Sequence, residues 1–160
     1  MNQSSASLPP TSATPEAPPL INRLVEQFAA SWVGLDTLDV WLAQPGEALL
    51  LLCGDPVRHP ECLDVAVILP ELCKTLAERH DCHPRLGIGR RVDEAALAER
   101  FALRRWPSII WLRDGGYVTQ IDGIRDWDAY LHLAESALQQ SNALIPLRSN
   151  PIQPSPGECQ

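Results

Sequence analysis

The sequence predicts an α/β domain in which helices cover both faces of a central sheet, closed by a β-hairpin and a last helix. Strands and helices alternate through the first half of the chain, as in other α/β domains. The continuous apolar run Ala48 to Cys53 is typical of a strand that is buried on both faces. The turn Asp114-Gly115-Gly116 lies between two apolar stretches, which is typical of a β-hairpin.

One domain is expected from the length and the composition. The chain has 160 residues, 45% of them hydrophobic and 21% charged, which is ordinary for one globular domain. Nine of its 15 prolines lie within residues 1–19 and 146–156, where hydrophobic periodicity is absent. We therefore predict a domain over residues 20–140, with disordered tails at 1–19 and 141–160.

The first half begins with two helices separated by a short strand. Apolar residues at helical spacing predict a first helix over Leu20 to Ala30. Trp32 and Val33 predict a short strand. A second helix is expected over Asp36 to Gln44, with Asp36 as its N-cap.

A long helix follows the apolar strand. Apolar spacing predicts this helix over Leu63 to His80, and Pro70 should bend it because proline lacks the N–H that a helix interior uses. A strand is predicted over Leu86 to Val92. The next helix should begin at a capping Asp93 and run to Phe101.

The second half consists of a hairpin and a helix. Strands are predicted over Ser108 to Arg113 and Tyr117 to Asp122. A last helix is predicted over Asp126 to Leu138, and its buried stripe should comprise Trp127, Tyr130, Leu131, Ala134 and Leu138.

Charge and cysteine content exclude several classes of protein. A net charge of -7 argues against nucleic acid as a partner, since phosphate binding needs a basic surface. The chain start does not resemble an export signal, and no apolar run is long enough to insert into a membrane, so we expect a cytoplasmic protein. Five cysteines form no C-x-x-C pair, and an odd number fits a reducing compartment.

The segment Phe101 to Gly116 resembles the C-terminal half of thioredoxin. Its Trp106-Pro107 corresponds to the cis-proline of thioredoxin, which forms one wall of the peptide-binding groove. The resemblance therefore implies a thioredoxin-like mixed sheet and a cis bond here.

Counting back from Pro70 aligns Cys62 with the first redox cysteine of thioredoxin. The second position is Val65, and the central strand has no acid, so we expect neither the dithiol cycle nor its proton relay.

A closer resemblance, over about residues 20–140, rests on five local features taken together: Leu38 to Leu42, Asp55-Pro56, Glu61-x-x-Asp64, Arg104 to Pro107, and Gly123 to Trp127. In these features the chain resembles the hydrogenase expression proteins HyaE, HupG and HoxO, thioredoxin folds without the redox pair. The resemblance implies a redox-inactive chaperone, with no enzyme activity and no cofactor, that acts in maturation of membrane-bound nickel-iron hydrogenase. The implied partner is the small-subunit precursor with its twin-arginine signal peptide, and other hydrogenase accessory proteins are secondary candidates.

The paired arginines and apolar segment of such a signal peptide call for carboxylates beside an apolar groove. By resemblance to thioredoxin, we expect this groove near Pro107. The residues predicted to bind the partner are Asp55, Glu61, Cys62, Asp64, Trp106, Pro107, Asp122 and Asp126.

Other interpretations of these residues remain open. Cys62 at a helix start could act as a single-thiol nucleophile, although the charges of Glu61 and Asp64 oppose a thiolate there. We favour a surface helix end over a metal site for the His and Cys residues near His80. A cluster of arginines is expected either to pair with nearby acids or to form a basic patch opposite the groove; its members are Arg90, Arg91, Arg100, Arg104 and Arg105.

Overall fold

The structure is a computed structural model that describes residues 17–143. Most of both predicted tails lies outside the described residues. At the near ends, Pro19 already begins the first helix, and the amide of Ala143 donates to the carbonyl of Tyr117 at 2.6 Å. The described domain therefore includes a few residues on either side of 20–140.

The predicted α/β class and its mixed sheet are confirmed. Five strands form one sheet in the order β1-β3-β2-β4-β5, in which β1, β3 and β2 are parallel while β4 and β5 are antiparallel neighbours. The elements are α1 (Pro19–Phe28), β1 (Ser31–Val33), α2 (Leu38–Leu42), β2 (Glu47–Leu52), α3 (Glu61–His80), β3 (Arg85–Gly89), α4 (Glu94–Arg100), β4 (Ser108–Arg113), β5 (Gly116–Asp122) and α5 (Trp127–Gln139).

The central strand β2 is buried on both faces, as its apolar run predicts. Leu49 and Leu51 face the side of the sheet that carries α1, α3 and α5. Leu50 and Leu52 face the other side, which carries α2 and α4. Since side chains alternate along a strand, this one apolar segment joins two separate cores.

Two helix caps differ from the sequence prediction. The N-cap of α2 is Thr37, and the carboxylate of Asp36 instead accepts a hydrogen bond from Arg90 at 2.9 Å. Asp93 lies at the N-cap of α4, but its carboxylate accepts from the amide of Leu35 at 3.3 Å. Both acids tie the loop after β1 to the loop after β3, which local sequence patterns could not show.

The predicted burial of Trp127 is wrong. Its side chain is 39% exposed because it is the first residue of α5, and the buried face of that helix starts one turn later at Tyr130. Tyr130 and Ala134 are fully buried, as predicted. Pro70 lies within α3, as expected, and α3 continues past it to His80.

Gly87 and Gly89 on β3 have a packing explanation. A Cβ at Gly87 would lie 2.6 Å from the ring of Trp41, and a Cβ at Gly89 would lie 2.4 Å from Leu52. The two glycines let side chains of the α2 and α4 core approach the sheet closely.

Candidate functional site

A groove lies where the start of α3, the loop before β4 and the turn after β5 meet. Its volume is about 490 Å³. We call it the proline groove, and its lining residues are His59, Glu61, Arg104, Arg105, Trp106, Pro107, Gly123 and Ile124. Three of the predicted site residues, Glu61, Trp106 and Pro107, therefore come together in it.

The floor of the proline groove is built from the backbone around Pro107. The Trp106–Pro107 peptide bond is cis, as the resemblance to thioredoxin implies. The carbonyl of Pro107 accepts from the amide of Gly123 at 2.7 Å, and the hydroxyl of Tyr130 donates to the carbonyl of Gly123 at 3.0 Å. Buried Tyr130 of α5 thus fixes the turn that closes one side of the groove.

The indole of Trp106 forms an apolar wall. It is half-buried and stacks on the ring of His59, with 6.5 Å between ring centroids and 29° between planes. The indole also approaches Gly54, which has φ +74° and where a Cβ would lie 3.0 Å from the ring. Glycine at this position permits both the backbone turn and the close approach of the ring.

The charges around the proline groove are mixed. Glu61 lines it, whereas the predicted Asp64 is exposed one helical turn further along α3 and is not among the lining residues. Arg104 and Arg105 are also exposed and line the groove, so the alternative of a basic patch opposite the groove is wrong for these two arginines. Arg105 lies over Gly123, where a Cβ would be 3.1 Å from its Cδ atom. The groove is acidic on its α3 side and basic on its β4 side.

The other arginines of the cluster include two that form ion pairs. Arg90 pairs with Asp36 at 2.9 Å, and Arg91 lies 3.4 Å from Glu94 and 3.8 Å from Asp55. Among the ion pairs within residues 17–143, none involves Arg104 or Arg105. These two guanidinium groups therefore line the groove without a carboxylate partner in that part of the chain.

Asp55 lies outside the lining of the proline groove. Its carboxylate accepts from the amide of Val57 at 2.9 Å, and this bond, assisted by the charge of Arg91, holds the pKa of Asp55 below its usual value. The expectation that Asp55 extends an acidic rim is not met, because the loop before α3 turns its side chain towards Arg91.

Asp122 and Asp126 also lie outside the lining. The hydroxyl of Ser108 lies 2.7 Å from the carboxylate of Asp122, which ties β5 to β4. The carboxylate of Asp126 accepts from the amide of Ala129 at 2.8 Å and so caps α5. Because both carboxylates have structural partners, the groove has fewer acids than the sequence suggested.

Cys62 is not at the surface of the groove. Its side chain is fully buried, whereas the preceding Glu61 is exposed. The thiol of Cys53 donates a hydrogen bond that lowers the pKa of Cys62, while the same contact, burial and the charge of Glu94 raise the pKa of Cys53. The prediction that Cys62 contacts a partner conflicts with this burial, since the start of α3 turns the thiol inwards.

Glu94 is a buried acid that the sequence pattern did not reveal. Its side chain is 1% exposed and accepts from the amide of Cys53 at 2.7 Å and from that of Gly54 at 3.1 Å. Burial raises the pKa of Glu94, although these bonds act in the opposite direction. An acid does therefore lie beside the cysteines, but α4 supplies it rather than the central strand.

Within residues 17–143, no group of three or more His, Cys, Asp or Glu side chains is arranged to hold a metal ion. None of the helices in this part of the chain combines the length and the apolar character needed to cross a membrane.

Comparisons with known proteins agree with this architecture. Residues 20–130 match the family described as hydrogenase-1 expression protein HyaE. The chain is 43% identical over 152 residues to the hydrogenase expression/formation protein HoxO of Cupriavidus necator, covering 94% of this chain and 92% of that one. It is 34% identical over 116 residues to HupG of Rhodobacter capsulatus, covering 71% and 80%. A solved thioredoxin of Plasmodium falciparum has a TM-score of 0.52 at 19% identity, covering 67% and 98%, which shows a thioredoxin-like fold.

Proposed function

The chain belongs to the HyaE family of hydrogenase expression/formation proteins, and from this premise we propose that it is a chaperone for the small-subunit precursor of a membrane-bound nickel-iron hydrogenase. A role in hydrogenase maturation follows from the family. In the finer proposal, the twin-arginine signal peptide of the precursor lies in the proline groove, in the cytoplasm, before export. Other hydrogenase accessory proteins are the next candidates as partners.

The observation that supports this proposal is that a carboxylate and an apolar surface lie beside each other in the groove. Exposed Glu61 lines the groove together with Trp106 and Ile124, whose side chains offer apolar surface. Asp64, also exposed, lies one helical turn further along α3. Guanidinium groups pair with carboxylates through two parallel hydrogen bonds, which is stronger than point-charge pairing. An apolar peptide segment would pack on the indole.

The mixed charge of the groove sets the direction of the peptide. Arg104 and Arg105 would repel the paired arginines of a signal peptide on the β4 side. The arginines of the peptide are therefore expected at the α3 side, near Glu61 and Asp64. The rest of the peptide would then pass Trp106 and Pro107.

In this proposal the protein binds and catalyses no reaction. Thiol chemistry on a protein partner requires an accessible thiolate. Cys62 is fully buried, and Val65 stands where a resolving cysteine would be needed within the motif. The single-thiol oxidoreductase hypothesis for Cys62 therefore gains no support from the geometry.

The direct test is calorimetric binding of a synthetic twin-arginine signal peptide to the full chain. Reversal of the groove acid and of its exposed neighbour, Glu61→Lys with Asp64→Lys, should weaken binding by about tenfold or more, equivalent to about 1.4 kcal/mol, and the loss should be larger at low salt. The matched control is Glu71→Lys, an exposed acid of the same helix about two helical turns beyond Asp64. Unchanged affinity in the double variant, or an equal loss in the control, would refute the proposed groove.

A second pair of substitutions has the opposite expected sign. Reversal of the basic side, Arg104→Glu with Arg105→Glu, should strengthen binding of the same peptide because it removes repulsion and adds carboxylates. A weaker complex would show that these arginines contact the peptide directly. That result would contradict the proposed direction of the peptide.

A further inference from the structure

Two neighbouring parallel strands send their connections to opposite faces of the sheet. β2 is followed by α3, on the face that also carries α1 and α5, whereas β3 is followed by α4 on the other face. The two connections therefore diverge just beyond the carboxyl ends of β2 and β3. In open α/β sheets, a crevice at such a point is the usual position of a small-molecule ligand.

A cavity of about 320 Å³ lies at this point of divergence. Cys53 and Gly54, directly after β2, line it together with Gly89 at the end of β3. Pro18, the N-cap of α1, and Ile21 of the same helix also line it. Small-molecule sites have volumes of about 300 to 1,000 Å³, so this cavity fits a ligand at the small end of that range.

Most of the side chains that line the cavity are apolar, and several of them are rings. Trp32, Pro18 and Pro56 supply ring side chains, and Ile88 adds an aliphatic one. An aromatic ring packs well against an indole in an offset-stacked or edge-to-face arrangement, and the burial of its apolar surface is favourable. The lining therefore favours an aromatic ligand over a polar one.

The two charged residues that line the cavity already bind other groups of the protein. The carboxylate of Glu94 is 1% exposed and accepts from the amides of Cys53 and Gly54. Arg91 lies 3.4 Å from Glu94 and 3.8 Å from Asp55, so its positive charge has carboxylates on both sides. A charged ligand would lose its hydration here without gaining a partner of its own, which is costly. The cavity is therefore suited to an uncharged ligand.

We propose that this cavity binds a small uncharged aromatic molecule, which packs against Trp32 beside the carboxyl ends of β2 and β3. Binding involves no covalent step. The proposal is independent of the chaperone function, because none of the described residues that line the cavity belongs to the proline groove. Affinity for the signal peptide and affinity for the aromatic molecule can therefore be lost separately.

The test is titration of the full chain with indole, indole-3-acetate and tryptamine, followed by amide chemical shifts. The three probes share one ring system and are uncharged, anionic and cationic near neutral pH. We expect indole to bind saturably with a dissociation constant of about 1 mM or lower. The largest shift changes should occur at Trp32, Gly54 and Ile88. Both ions should bind about tenfold more weakly or worse, because the cavity does not replace their hydration.

A substitution at the indole wall tests the contact that the proposal depends on. Trp32→Ala should weaken indole binding by about tenfold or more, because the stacking surface is removed. The matched control is Trp127→Ala, since Trp127 is 39% exposed and lies outside the cavity lining. This control should keep the affinity of the unaltered protein.

Several outcomes would overturn the proposal. They are shift changes that do not saturate, changes centred on the proline groove near Trp106 and Gly123, and an ion that binds as tightly as indole. Unchanged affinity in Trp32→Ala, or an equal loss in Trp127→Ala, would overturn it as well. The shift changes in the unaltered protein locate the site even if Trp32→Ala does not fold.

Discussion

The proline groove and the buried thiol of Cys62 lie side by side but have opposite character. Glu61 and Cys62 are consecutive residues of α3, yet the carboxylate is exposed in the groove and the thiol is fully buried. A protein segment can therefore reach the carboxylate of Glu61 but not the thiol of Cys62. In the proposed function, partners would meet the exposed carboxylate and not the buried thiol.

Gly54 connects the two regions. Its amide donates to Glu94, which lies beside the thiols, and its Cα faces the indole of Trp106, which forms the groove wall. A substitution in the proline groove, or one beside Glu94, should affect only its own region. A substitution at Gly54 should affect both.

The largest effect is expected when the buried carboxylate is removed. Glu94→Ala leaves the buried amides of Cys53 and Gly54 without their acceptor, which should lower the free energy of unfolding by about 3 kcal/mol. Exposed Glu99 on the same helix is the control, and Glu99→Ala should change stability by less than about 0.5 kcal/mol. Urea unfolding measures both, and equal values would mean that the acceptor role of Glu94 is unimportant.

A smaller loss, shared by both regions, is expected from Gly54→Ala. The added Cβ would meet the indole of Trp106 at 3.0 Å in a backbone with φ +74°, so stability should fall by about 1–2 kcal/mol and signal-peptide affinity should fall as well. Gly46→Ala is the matched control, because Gly46 has φ +95° but an added Cβ there would have no described atom within 4 Å. Equal losses of stability in the two variants, with equal peptide affinities, would mean that the contact between Gly54 and the indole of Trp106 does not couple the two regions.

The next effect is a pH dependence of the free energy of unfolding, which should arise from buried Glu94 and not from the groove. Burial raises the pKa of Glu94 above its ordinary value of 4.5, so its stabilising contribution is complete below that pH and is lost as pH rises through the raised pKa. The unaltered protein should therefore lose stability relative to Glu94→Gln as pH rises from 4.5 through this raised pKa. The loss should be about 1.4 kcal/mol for each pH unit that separates the pKa of Glu94 in the folded protein from that in the unfolded chain. Urea unfolding across this range is the measurement, and a difference that is constant or has the opposite sign would contradict it.

The smallest effect is expected at the groove when a buried thiol is changed. Cys62→Ser should leave signal-peptide affinity unchanged, because the side chain is fully buried beneath the groove. Hydrogenase maturation should also be retained in cells that depend on this variant. Loss of binding in a variant that remains folded would favour the single-thiol hypothesis instead.

Local sequence patterns identify the strands and helices well because their signals are contained in a few neighbouring residues. The run Ala48 to Cys53 predicts a strand buried on both faces, and the Asp114-Gly115-Gly116 turn predicts the hairpin; both are confirmed. The errors at Asp36 and Trp127 concern which neighbour a side chain meets, and that depends on how distant loops and helices pack.

The site is harder to predict because its parts come from distant elements. Glu94 bonds to Cys53 and Gly54, which lie 41 and 40 positions away in the sequence, and no local pattern distinguishes it from a surface acid. Arg104 and Arg105 enter the groove only because the loop before β4 folds towards α3. The resemblance to a known family pointed to Trp106 and Pro107, but it could not reveal the basic side of the groove.

Amide chemical-shift changes on addition of a twin-arginine signal peptide test the central claim most directly. We predict that the largest changes occur at Glu61, Asp64 and Gly123, with smaller ones at Cys53 and Glu94 behind the groove. Changes centred on the cavity near Trp32 and Ile88, or no changes at saturating peptide, would contradict this claim.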